Sequence, residues 1–146
     1  MTSRPKITKV LLDDKTDDDY FFFGIVSSEA DYKLSQLLNK KLKLALKNSK
    51  SLDIAENNGE KMSFSRYSFT SASPEISYSL ISNRSGKDYL LKKLKKIDFF
   101  FQVHNNENYC DTEQITNALR EIEKITAVFR LDPKDIKDKN LAYLIP

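Results

Sequence analysis

Apolar residues change their spacing several times along the chain, and each change marks an element. Residues 6–12 (KITKVLL) have the content of a strand with imperfect alternation, and an Asp-rich turn follows. Tyr20 to Val26 (YFFFGIV) is apolar without a break, which predicts a strand buried on both faces. A helix comes next. Ser28 is placed to cap it, with Asp31 three residues on. Leu34, Leu37, Leu38, Leu42 and Ala45 recur at helical spacing, and lysines fill the opposite side. Residues 47–61 (KNSKSLDIAENNGEK) are polar and contain Asn57-Asn58-Gly59, so a surface loop is predicted there.

Alternation returns at 62–69 (MSFSRYSF), with a slip of phase. Met62 and Phe64 share one face, Tyr67 and Phe69 the other, and a bulge near Arg66 would reconcile them. After the TSASP turn, Ile76, Tyr78 and Leu80 alternate with small polar residues, which predicts a hairpin with the preceding segment. Residues 86–96 form a short basic connection. Ile97 to Val103 (IDFFFQV) predicts another strand. Asp111, with Gln114 three residues later, caps a second helix striped by Ile115, Leu119, Ile122 and Ile125. AVFRL at 127–131 predicts a last strand, and Asp132-Pro133 opens a short terminal helix. The order β-β-α-β-β-β-α-β predicts an α+β fold in one domain, 1–146. Its core is a single, mostly antiparallel sheet of about six strands with both main helices on one face.

Composition agrees. Hydrophobic residues make up 40% and charged residues 31%, a balance that suits a packed globule and not a disordered chain. No early apolar stretch reaches the roughly 7–15 residues of a secretory signal, and none approaches a membrane span of about 20 residues. A single cysteine, Cys110, excludes an intrachain disulfide. A cytoplasmic location and no membrane contact are expected. Net charge is only +3, but it is clustered. Lys40, Lys41, Lys43, Lys47 and Lys50 form one basic group, and Lys92, Lys93, Lys95 and Lys96 form another.

Several segments carry a resemblance. LKKLKKIDFFF at 91–101 resembles the naming motif of the IPExxxVDY family of small bacterial proteins. Leu91 stands for the family's Ile, Ile97 for Val, Asp98 for Asp and Phe99 for Tyr, while Lys92 and Lys93 replace Pro and Glu. DYFFFGIVSSEADYKLSQLLNKKL at 19–42, SLISNRS at 79–85 and FRLDP at 129–133 are similar to the family's N-terminal half, middle and end. The resemblance implies a cytoplasmic bacterial protein and implies no activity.

Candidate chemistry is sparse. One cysteine and one histidine, Cys110 and His104, allow a nucleophilic pair only if thiol and imidazole touch. Otherwise Cys110 is a small apolar residue before the helix cap and His104 a residue at a strand end. Asp98 and His104 lie about 20 Å apart on one strand at ~3.3 Å per residue, too far for an acid–base pair. Asp98 is expected to bond neighbouring backbone or an arginine. Asp13, Asp14, Asp17, Asp18 and Asp19 are oxygen-rich but lack the Gly and closing Glu of a calcium loop. The three glycines are scattered, so no phosphate-cradling loop exists. No metal and no cofactor are expected, and no small-molecule substrate is indicated. Asn83 and Arg84, beside the strand that ends at Ser82, could hold a carboxylate or phosphate. Lys92, Lys93, Lys95 and Lys96, with Arg84 and Lys87, are the best nucleic-acid candidates, with only Tyr89 as a nearby ring. The alternatives are an ordinary turn and a solvated face.

These observations lead to a non-enzymatic binding or adaptor protein acting through a protein surface. An RNA- or ribosome-associated factor using the basic patches is the other reading. The candidate binding residues are Asn83, Arg84, Lys92, Lys93, Lys95, Lys96 and Asp98.

Overall fold

The structure is a computed structural model and describes residues 20–55, 59, 61–105 and 110–145. The strand expected over 6–12 and the acids at 13–19 lie outside those residues. In chain order the strands and helices are β1 (Tyr20–Val26), α1 (Asp31–Leu42), β2 (Lys47–Ala55), β3 (Lys61–Thr70) and β4 (Ile76–Ser82). They continue as β5 (Arg84–Ser85), β6 (Asp88–Tyr89), β7 (Phe99–Asn105), α2 (Thr112–Arg120) and β8 (Ala127–Leu131). Short 3-10 turns occupy Lys92–Leu94, Pro133–Asp135 and Lys139–Tyr143.

Six strands form one antiparallel sheet in the order β2-β3-β4-β7-β1-β8, and β5 and β6 make a separate small hairpin. The fold is α+β, as the pattern predicted. The two continuously apolar segments are neighbours inside the sheet, with Phe23 of β1 opposite Phe101 of β7. Their alternate side chains feed two cores. On one face Phe23, Ile25, Phe99, Phe101 and Val103 pack with Leu34 and Leu38 of α1 and Leu119 of α2. Both helices therefore lie on the same side. On the other face Phe22, Phe64, Ile81 and Phe100 are covered by Leu90, Leu91 and Ile97 of the β4–β7 connection and by Leu144 near the C-terminus. Among the described residues no helix is long and apolar enough to cross a membrane.

Gly24 sits where this second layer comes closest. A Cβ there would stand 2.6 Å from Ile97 Cδ1 and 3.2 Å from Leu131 Cδ1. The missing side chain lets the connection lie down on β1.

Three expectations need correction. Residues 47–55, predicted as part of a loop, form edge strand β2. Only Ile54 of its side chains is buried, so the strand carries almost no apolar alternation. The bulge expected near Arg66 belongs to β2 instead: Lys50 and Ser51 together face Ser65, between the pairs Ser49–Arg66 and Leu52–Phe64. Strand β3 alternates steadily. Met62 and Phe64 serve one core, while Tyr67 and Phe69 pack against the other. Finally, α1 starts without the predicted cap. Ala30 is its N-cap and no side chain bonds there; the hydroxyl that accepts a backbone N–H is that of Ser27, from Glu29 at 3.1 Å. The helix stops at Leu42, with Lys43 left-handed at φ 58, so Ala45 lies beyond it. The cap of α2 is as expected: Asp111 accepts from the Gln114 N–H at 3.1 Å.

Candidate functional site

The candidate binding residues gather on the connection between β4 and β7, and Asn83 holds that connection in shape. Its amide donates to Leu94 O at 3.0 Å and to Ile97 O at 2.9 Å. Its carbonyl oxygen accepts from Leu91 N–H at 2.8 Å. The Asn83 backbone N–H donates to Asp98 O, and its backbone carbonyl accepts from Leu90 N–H, both at 2.9 Å. Leu90 and Leu91 are thereby turned inward and are fully buried. Asn140 tightens the same segment from the C-terminal side, donating to Leu90 O at 2.8 Å. Asn83 is itself 0% exposed. The sequence marked it as a ligand contact; its place is inside the loop, with no surface to give a ligand.

Asp98 and Arg84 form the outer part of this arrangement. Asp98 Oδ2 accepts from Ser27 N–H at 2.9 Å, and Asp98 Oδ1 meets Arg84 Nη2 at 2.8 Å. These are the two partner types anticipated for this carboxylate, backbone and arginine. Arg84 stays half-exposed and lies 5.5 Å from the centroid of Tyr89. Lys95 Nζ approaches the same ring at 5.7 Å. Two cations thus share one aromatic ring, as the ring quadrupole favours. Lys87, Lys92, Lys93 and Lys96 are exposed around them.

Cys110 and His104 belong to different layers. The His104 ring stacks on Tyr20 at 4.2 Å between centroids. By strand alternation it shares the face of Phe100 and Gln102. Cys110 packs against the helix-side core. Burial, with Asp111 adding to it and Arg130 opposing it, pushes the Cys110 thiol up to about 11. At neutral pH it is protonated and weakly nucleophilic. Asp98 precedes β7 and His104 lies near its far end, so they do not meet. Among the described residues, no group of three or more His, Cys, Asp or Glu side chains could hold a metal.

On the helix side, α1 and α2 leave part of the sheet uncovered. A groove of ≈ 440 Å³ opens there, floored by Ile76, Tyr78, Phe101 and Val103 and walled by Leu42, Leu44 and Ile115. Burial raises the Tyr78 phenol above its ordinary value, with the neighbouring Cys110 adding to the shift. Lys41 and Lys43 stand at one rim and Asp111 at another.

Set against known proteins, the chain matches no family model, no curated protein and no solved structure.

Sequence reasoning found the cationic connection but missed the groove. It also missed Ser27 and Asn140. The signal for the groove was Ile76 and Tyr78, alternating on a strand that two helices are too few to cover. Ser27 and Asn140 left no signal, because each acts on backbone distant in sequence.

Proposed function

We infer that the protein is a non-enzymatic, cytoplasmic binding or adaptor protein that acts through a protein surface. The observation that carries this reading is the helix-side groove. Its size is that of a site for a few inserted side chains, and its lining is mainly apolar. The separation of Cys110 from His104 across the sheet, and the high thiol pKa, support the non-enzymatic part. A partner would anchor apolar or aromatic side chains against Tyr78 and Ile76, as interface hot spots do.

The test is affinity purification from the native host with the full chain as bait, in lysate with and without nuclease. A partner retained after nuclease treatment should bind Leu44→Ser/Ile76→Ser at least tenfold more weakly, about 1.4 kcal/mol, with circular dichroism checking that the variant still folds, because both residues also pack against the helix-side core. Retention of full affinity by the folded variant would remove the groove from the reading.

A second reading has its own observation. Residues 84–98 hold six Lys and Arg against two Asp, a local charge of +4, whereas the whole chain carries +3. That concentration supports contact with RNA or the ribosome.

A further inference from the structure

We propose that the β4–β7 connection is a preformed, sequence-independent binding surface for the phosphate backbone of single-stranded RNA, centred on Arg84, Lys95 and Tyr89. This rests on the second reading above and not on the adaptor reading, and it concerns the face opposite the groove.

Placement comes first. The connection packs its apolar residues, Leu90, Leu91 and Ile97, into the second core. What it shows to water is mainly cationic, Arg84 and five lysines against the exposed Asp88, with the Asp138 carboxylate accepting from Lys93 N–H at its edge. Exposed lysines with no apolar centre are a poor basis for a protein interface, whose core is depleted of Lys. They are a good basis for a polyanion.

Rigidity comes second. Lysine side chains on a floppy loop would lose much freedom on binding, but this backbone is fixed at Leu91, Leu94 and Ile97 by Asn83 and at Leu90 by Asn140. Arg84 is aimed by its bond to Asp98, and the Tyr89 ring holds Arg84 and Lys95 near each other. Two like charges at one ring make a place where an anion lowers the repulsion of both. Asp98 neutralises part of the arginine charge and nothing at Lys95.

The class of nucleic acid follows from shape. The surface is a two-residue hairpin and a single 3-10 turn, with no helix to enter a duplex groove. A single strand can bend its phosphates to the cations. The Tyr89 ring is engaged by Arg84 and Lys95, so base stacking contributes little and sequence preference should be slight.

The experiment uses the full chain and a fluorescein-labelled, mixed-sequence single-stranded RNA of about 20 nucleotides, followed by anisotropy at several salt concentrations. Lys92→Ser/Lys93→Ser/Lys95→Ser/Lys96→Ser should weaken binding at least tenfold at low salt. It should flatten the salt slope by about 0.7 for each lysine that touches a phosphate. Lys95→Gln/Lys96→Gln serves as a milder second variant and should show a partial loss. A DNA strand of the same sequence should bind within a few-fold of the RNA, because the contacts are to phosphates. Four results would overturn the proposal. These are no binding by the native chain at low salt, equal affinity and slope in the folded lysine variants, a strong preference for RNA over DNA, and equally effective competition by a glutamate peptide. Nuclease-sensitive RNA that co-purifies equally with native chain and variant would remove this site and leave the second reading standing. No RNA with either would remove both.

Discussion

Asn83 shows how much one buried amide can organise. Its two donor bonds and one accepted bond fix three points of the β4–β7 connection, those at Leu91 and Ile97 buried and that at Leu94 part-buried. Asn83→Ala leaves Leu91 N–H, Leu94 O and Ile97 O without these partners. With about 1–3 kcal/mol for each buried orphan and partial relaxation, the expected loss is about 2–4 kcal/mol in denaturant unfolding. Asn83→Asp should be no better despite its similar shape, because an ionised carboxylate cannot donate to the two carbonyls. Cys110 gives a test of a different kind. Its thiol titrates near 11 in the folded chain against an ordinary 9.0. Between those values the unfolded chain has released a proton that the folded chain still holds, so stability falls as pH rises. Below that window the group contributes no slope. Unfolding midpoints from about pH 8 to about pH 11 should therefore fall less steeply for Cys110→Ala than for the native chain. Parallel curves would mean that the thiol is not buried as described.

At the scale of elements, β1 is the strand on which both layers depend. Its Gly24 accepts the weight of Ile97 from above. Gly24→Ala pushes a methyl group into Ile97 Cδ1 and should cost about 1–3 kcal/mol as overpacking. Ile97→Val removes that Cδ1 and alone costs about 0.5–1.5 kcal/mol. The double variant should lose clearly less than the sum, a coupling readable in the same unfolding series. Simple additivity would mean that the two positions do not touch. The elements legible in the sequence were those whose burial is written in adjacent residues. YFFFGIV and FFFQV could only be interior strands, and Asp111 with Gln114 could only begin a helix. Strand β2 was illegible because it lies at an edge and buries Ile54 alone, so a polar strand and a polar loop look alike. The apparent slip in β3 misled for a related reason: its two halves are covered on opposite faces, which no local pattern can reveal. In the candidate site, Asp98 with an arginine was legible from charge and position. The burial of Asn83 was not, since an Asn before an Arg reads equally well as a turn.

Taken whole, the molecule presents two unlike surfaces on opposite sides of one sheet. The helix side offers an apolar groove, and the other side carries the cationic connection. Residues 84–98 carry +4, and residues 40–50 hold five lysines and no acid, so positive charge is gathered in two segments that would draw the molecule toward a polyanion before contact. The strand order has a further consequence, for assembly of the fold in time. Strands β2, β3 and β4 pair with near neighbours in sequence, but Tyr20 of β1 pairs with His104 of β7, 84 positions later. β8, the other partner of β1, comes later still. On a growing chain, Phe21, Phe22 and Phe23 emerge before both of their neighbours and wait for them. Closing so long a loop is slow, and the waiting segment is the most apolar in the protein. The interval before β7 is made is when this chain is most prone to stick to others, and a helper that shields β1 during synthesis would act there.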